Sequence, residues 1–316
     1  MRYVNLAKIP RPVSRLVFGC AFPAMNAGED VSELLDEAFK AGMTAFDTAE
    51  NYGLSEVGLG NWMASRKNRD SVTVITKGCH PYGHPRVTPE DLRHDFDQSL
   101  QRLRTDHVDV YMLHRDDPAR PVGPIMEALN EYVREGKTLR IGASNWTLER
   151  LIEANAYAQE HGLEPFSVIS PNYSLARQLG DPWGGCTALT GEEHEADRAW
   201  CAQSGVTVIA YASLAHGFLA GKIPSSEPER LEASLDEGGR RGYFHPDNLE
   251  RLRRAEELAA KRGCSVAQIT LAYVLTDPLG LLPAVSATKP KHMQANVAAL
   301  DIALSEEERA WLDLQA

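Results

Sequence analysis

Asp47 lies inside the apolar run Ala45-Phe46-Asp47-Thr48-Ala49, and Tyr52 follows in the glycine-bounded turn Asn51-Tyr52-Gly53. An ionisable carboxylate at the end of an apolar run is costly unless it is paired or used. Two more titratable groups close apolar runs downstream, Lys77 after Val72-Thr73-Val74-Ile75-Thr76 and His114 after Val110-Tyr111-Met112-Leu113. Acid, phenol, amine and imidazole are the groups that proton transfer needs. Taken singly, each has a structural reading. Asp47 can bond loop amides, Tyr52 can pack with a bonded hydroxyl, Lys77 can snorkel, and His114 can be a satisfied core histidine. Their recurrence at successive strand ends carries more weight than any one of them.

The elements that must position these groups are short apolar runs alternating with amphipathic stretches. Strands are expected at 16–20, 44–49, 72–77, 108–114, 139–145, 166–174, 206–213 and 281–287. Between them, Val31, Leu34, Leu35, Ala38 and Phe39 form one helical face ending at a glycine cap, Gly42. Thr88 as N-cap and Pro89 at the first helical position precede a Leu92, Phe96, Leu100, Leu103 stripe. Eight short strands, most followed by a helix, predict an α/β fold, a single (β/α)8 TIM barrel spanning 1–316 as one domain. An N-terminal hairpin is expected at the barrel bottom. Long loops, 176–200 and 217–247, are expected at the C-terminal face, where such barrels carry their chemistry.

The 316 residues are 43% hydrophobic and 24% charged, an ordinary globular composition. Acidic residues (44) outnumber basic ones (33), and the net charge of −11 argues against a nucleic-acid or anionic-membrane partner. No apolar run is long enough to span a bilayer, and the first residues lack a signal-peptide core. Five scattered cysteines without a CxxC pair read as reduced thiols, with no disulfide framework and no metal site. A cytoplasmic location is the expectation.

The segments AFDTAENYGLSEVGLG, VITKG, DVYMLH, GASN and AYASLAHGFLAGK, in this order, resemble the aldo-keto reductase family. The resemblance runs from Gly19 to the VSATKPKHMQANVAAL segment. It implies an NAD(P)H-dependent oxidoreductase that reduces an aldehyde or ketone, or runs in reverse, with Asp47, Tyr52, Lys77 and His114 as the catalytic four. In that scheme Tyr52 donates a proton to the carbonyl oxygen, and Lys77 beside it is expected to pull the phenol's pKa down. Asp47 holds Lys77 charged, and His114 orients the oxygen. The resemblance also implies cofactor contacts. Ser144 and Asn145 hold the nicotinamide carboxamide, Tyr211 lies against its ring, and Ser213, Leu214 and Gly217 follow the pyrophosphate. Ser286, Ala287, Thr288, Lys289, His292 and Asn296 reach the adenosine and its 2′-phosphate.

Ser170 and Asn172 complete the implied cofactor set, but the chain departs from the family pattern at Ser170, where a glutamine is common; either Asn172 compensates or the amide contact is lost. Position 286 is Ser rather than Lys or Gly, so charge for a 2′-phosphate falls to Lys289 and His292, and NADPH is favoured over NADH. Phe22, Trp146 and Trp183 are expected to wall the substrate pocket, with His80 and His84 in the loop after Lys77. The expected partner is a small carbonyl or alcohol. Two other readings stay open: a nucleotide-binding, redox-sensing regulatory subunit, and a Schiff-base lyase using Lys77.

Overall fold

The computed structural model describes residues 1–316. Ten strands form in chain order: β1 Tyr3–Val4, β2 Val13–Ser14, β3 Val17–Gly19, β4 Ala45–Asp47, β5 Thr73–Gly78, β6 Val108–Leu113, β7 Thr138–Ser144, β8 Val168–Ser170, β9 Thr207–Ala210 and β10 Leu282–Val285. The first two pair as an antiparallel hairpin, and the other eight close a barrel in the order β10-β3-β4-β5-β6-β7-β8-β9. Each strand expected from the sequence is present, shortened by a residue or more in most cases. The fold is a (β/α)8 TIM barrel with the expected N-terminal hairpin.

By density of contacts the chain divides into two compact units. The first comprises Met1–Ser170, Gly205–Thr207 and Ser286–Pro290; the second comprises Pro171–Ser204, Val208–Val285 and Lys291–Ala316. In the first lie α1 Pro23–Asn26, α2 Ser32–Lys40, α3 Ser55–Arg66, α4 Pro89–Leu103, α5 Val122–Arg134 and α6 Leu148–Glu160. Their boundaries follow local chemistry. Thr88 Oγ1 accepts from the Asp91 amide at 3.1 Å and Pro89 opens α4, as expected. Gly42 takes φ +90° just past α2, a conformation that favours glycine. Leu92, Phe96 and Leu103 of α4 are buried, and so is Asp95 on the same helix. The hairpin sits at the strand starts, because Arg11 donates to the Val72 carbonyl at 2.9 Å and pairs with buried Asp109. That is the barrel's bottom.

The second unit differs from expectation in two segments, the first being 176–200, whose last six residues already belong to α7 Glu195–Ser204. Residues 217–247 contain α8 Pro228–Ser234 and α9 Glu237–Tyr243, between α7 Glu195–Ser204 and α10 Pro246–Arg262. Three glycines inside α9 hide it from a propensity reading. The helix forms because Asp236 caps Gly239 N at 2.7 Å and Tyr243 is fully buried. The remaining helices are α11 Val266–Leu275, α12 Pro290–Ala299, which starts at the last residue of the first unit, and α13 Glu306–Leu312.

Candidate active site

The register of three neighbouring strands explains why Asp47, Lys77 and His114 share a face. Asp47 of β4 pairs with Ile75 of β5, and Lys77 stands two residues beyond Ile75. Lys77 in turn pairs with Met112 of β6, and His114 stands two residues beyond Met112. Side chains two apart on a strand point the same way, so the three groups climb one face like steps. That stagger belongs to the tilted strands of a closed barrel. It places all three at strand ends on the C-terminal side.

Lys77 is buried and its Nζ donates to both carboxylate oxygens of Asp47, at 2.7 and 2.8 Å. A third bond, at 2.9 Å, goes to the Thr48 carbonyl. The same ammonium lies 5.1 Å from the centre of the Tyr52 ring, near enough to interact with its hydroxyl. The Tyr52 ring meets the His114 ring edge-on, centroids 5.5 Å apart. The four residues named from the sequence are therefore one cluster, within the first unit.

Burial sets the electrostatics of this cluster. It pushes the Asp47 carboxyl up, and Lys77 opposes that through charge and hydrogen bonding. With both carboxylate oxygens bonded to Nζ, the pair is a carboxylate and an ammonium, and Lys77 is held above the ordinary lysine value by Asp47 despite burial. Tyr52 runs against the sequence expectation: its pKa is raised, not lowered. Burial outweighs the downward pull of Lys77, and Asp47 adds to the rise. His114 is held well below the ordinary imidazole range by burial and by Lys77 and Arg115, so it is neutral. Its Nδ1 is buried without a hydrogen-bond partner.

The cofactor candidates are found in both units. In the first, Ser144 Oγ donates to the Ser170 carbonyl at 2.8 Å, and Asn145 Nδ2 donates to Ser144 Oγ at 2.9 Å. Asn145 takes φ +60°, and Cys79, just past β5, takes φ +61°. Left-handed non-glycine backbone of this kind gathers at functional sites. Ser286 bonds the Gly19 carbonyl through Oγ, and Ser286, Thr288 and Lys289 are exposed. In the second unit, buried Asn172 donates to the Tyr243 hydroxyl, while its Oδ1 is buried without a partner. Tyr211 lies just past β9 with its ring 6.1 Å from that of Trp183. Ser213 is buried and Leu214 half-buried; Gly217 takes φ +89°, Asn296 is half-buried, and His292 is exposed.

Of the expected pocket residues, Phe22 and Trp146 are buried, whereas Trp183 in the second unit is 47% exposed. Trp146 packs edge-on against Phe166 and donates Nε1 to the Arg115 carbonyl at 3.2 Å. Three neighbours of the cluster were not read from the sequence as site residues. Glu50 Oε2 accepts from the Tyr82 hydroxyl at 2.6 Å, Arg115 acts electrostatically on Tyr52 and His114, and Asp95 accepts from the Cys79 amide at 2.8 Å. Glu50 lies inside the quoted AFDTAENYGLSEVGLG segment and Arg115 directly follows His114, and those positions are their only signal.

Fold and rim together define a barrel with a buried cluster of carboxylate, ammonium, phenol and imidazole at its strand ends. Residues 15–314 match the model of the Aldo/keto reductase family, and the chain belongs to that family. It is an NAD(P)H-dependent oxidoreductase. Among its relatives, the uncharacterised oxidoreductase YrpG of Bacillus subtilis is 29% identical, over 97% of this chain and 93% of its own. The L-glyceraldehyde 3-phosphate reductase of Escherichia coli O157:H7 is 30% identical over 99% of this chain and 91% of its own. A thermostable aldo-keto reductase, Tm1743, solved with the inhibitor epalrestat, superposes with a TM-score of 0.73 at 27% identity, covering both chains entirely. No helix is long and apolar enough to cross a membrane.

Proposed function

We propose that this chain, working as one barrel domain, reduces an aldehyde or ketone to an alcohol, with Tyr52 as the proton donor and NADPH as the preferred cofactor. The observation that carries the reading is the contact of Lys77 with the Asp47 carboxylate on one side and the Tyr52 phenol on the other. Relatives named as reductases support it.

The donor set fits a nicotinamide dinucleotide. The Asn172 Oδ1, buried without a partner, is an acceptor suited to a carboxamide N–H. In the first unit Ser144 and Asn145 would bind a carboxamide; in the second Tyr211 would stack on the ring, and Ser213, Leu214 and Gly217 would follow the pyrophosphate. Ser286, Thr288, Lys289, His292 and Asn296 would hold the adenosine end, with Lys289 supplying the charge that favours a 2′-phosphate. When bound, the cofactor would supply a hydride, one hydrogen with two electrons, to the carbonyl carbon.

The chain's own residues do the rest. His114, neutral and buried, donates a hydrogen bond to the carbonyl oxygen and fixes its position. Tyr52, held protonated by burial, gives its proton to that oxygen as charge builds there. Lys77 stabilises the phenolate left behind, and Asp47 keeps Lys77 charged and in place. Phe22 and Trp146 wall the substrate side. An ammonium this firmly protonated is a poor nucleophile, which weighs against an imine on Lys77.

The test is reduction of an aldehyde panel by the purified protein, followed through NADPH absorbance. Tyr52→Phe is expected to lower kcat by about 10²–10⁴-fold while NADPH still binds. Full activity in that variant removes Tyr52 from the donor role.

A further inference from the structure

The loop after β5 is built to press one more imidazole against the cluster. Gly78 ends β5 where a Cβ would meet the Tyr111 hydroxyl, so only glycine fits there. Cys79 follows in left-handed backbone, φ +61°, an arrangement that persists only when neighbours hold it. The holder is Asp95, buried on α4, whose Oδ2 accepts from Cys79 N at 2.8 Å. Arg86, at the far end of the same loop, forks onto Asp95 at 2.8 and 3.1 Å and pairs with Asp91. Both ends of the turn are thus tied to one carboxylate. Between them His80 lies edge-to-face on His114, ring centroids 5.0 Å apart, and its ring is 6.0 Å from that of Tyr82.

The tautomer of His80 follows from its partner. Nδ1 lies 3.0 Å from the Pro81 carbonyl, and a carbonyl can only accept, so Nδ1 carries the proton. Partial burial and the nearby Arg115 cation keep His80 below the ordinary imidazole range, so the ring is neutral at pH 7. A neutral ring protonated at Nδ1 offers Nε2 as a lone-pair acceptor.

We propose that His80 is a specificity-determining residue whose Nε2 accepts a hydrogen bond from a hydroxyl next to the reacting carbonyl, so that the enzyme selects α-hydroxy aldehydes and ketones. The proposal rests on the carbonyl-reductase reading of the same site. His114 addresses the carbonyl oxygen, and the ring packed against His114 is placed for the adjoining carbon's substituent. A site that bonds a substrate hydroxyl discriminates against the analogue lacking it, because its own polar atom is then left unpaired.

The experiment compares lactaldehyde with isobutyraldehyde, in which a methyl replaces the hydroxyl, by kcat/KM in the native enzyme and in His80→Phe and His80→Gln. The ratio within each protein cancels effects common to both substrates. His80→Phe is expected to lower the lactaldehyde-to-isobutyraldehyde ratio by about 3- to 10-fold, the range for one neutral hydrogen bond. His80→Gln, which keeps an acceptor, is expected to recover part of it. NADPH binding, followed by protein fluorescence, reports that both variants are folded. A ratio unchanged in His80→Phe, or lowered equally in both variants, overturns the assignment. Failure of the native enzyme to oxidise NADPH with either aldehyde instead overturns the carbonyl-reductase reading beneath it.

Discussion

Replacing Asp47 by asparagine keeps the size of the side chain and removes its charge, which isolates what the carboxylate does for Lys77. In the native protein Nζ donates at 2.7 and 2.8 Å to the two carboxylate oxygens. The amide oxygen can keep one of these bonds; the amide nitrogen cannot accept the other. Burial is the largest influence on Lys77 and pulls its pKa down, and Asp47 leads the group that raises it above the ordinary value. Without that charge the balance reverses and Lys77 falls below an ordinary lysine. Removing one partner of a buried pair costs about 3–5 kcal/mol when the other charge must stay. The amine's alternative is to lose its proton, at about 1.4 kcal/mol for each pH unit below an ordinary lysine's pKa. At neutral pH the two costs are similar, and at about pH 9.5 deprotonation costs only about 1.3 kcal/mol.

The sign follows from linkage. The raised native Lys77 contributes stability that is complete below the unfolded lysine pKa and is lost as pH rises through the folded one. In Asp47→Asn the unfolded chain binds the extra proton instead, so the variant gains stability with rising pH. For 316 residues, about 1.5 °C per kcal/mol gives a melting gap of roughly 5–7 °C at neutral pH. Calorimetric scans of both proteins from pH 7 to about 9.5 should show that gap narrow severalfold, while kcat in the variant falls by at least about tenfold. A gap that stays constant across the range would mean that Lys77 keeps its proton without Asp47, and the reasoning would fail.

His114, neutral and buried, should make the fold sensitive to acid. Its folded pKa lies well below that of the unfolded chain, so stability is present above the unfolded value and falls as pH drops below about 6.5, by up to about 1.4 kcal/mol per pH unit. His114→Gln should lose less stability than the native protein between pH 6.5 and 5, read from melting temperatures; parallel curves would count against the neutral, buried assignment. Gly60, in α3, lies against the end of α4, where a Cβ would meet the Arg102 carbonyl oxygen at 2.4 Å and the Leu103 carbonyl carbon at 2.6 Å. Those atoms are backbone and cannot swing away, so Gly60→Ala should destabilise by about 1–3 kcal/mol or more in urea titration despite alanine's better helix propensity.

What the sequence made legible was whatever recurs with a period. The eight strands show as short apolar runs buried on both faces, recurring between helical stretches, and the α2 and α4 faces show because their apolar residues repeat every three to four positions. Asp47, Lys77 and His114 show because a charged group closing an apolar run is conspicuous. Asp95 does not, because an inward-facing acid on a helix with Asp91 and Asp97 nearby looks like one more solvated charge. Its partners, the Cys79 amide and Arg86, are brought to it only by the fold. Helix α9 stayed hidden because glycine lowers propensity, while its cap and the burial of Tyr243 come from tertiary structure. The role of His80 depends on its ring packing and on a carbonyl one residue away, which composition cannot reveal.

The Tyr52 expectation failed for a reason that bears on the chemistry. A cation beside a phenol lowers its pKa in water, but a phenolate taken out of water loses more than one ammonium returns, especially with the Asp47 carboxylate close by. The phenol is therefore held protonated, which is the form a proton donor needs before reduction begins. In the mechanism proposed above Lys77 would count most later. As charge develops on the substrate oxygen and passes to the phenol, its field would act across a short, poorly screened gap. A side chain that is a weak acid at rest and a stabilised base in the transition state gains its advantage in kcat rather than in substrate binding. Lys77→Met should accordingly lower kcat far more than it raises KM, and a loss confined to KM would show that the ammonium serves binding instead.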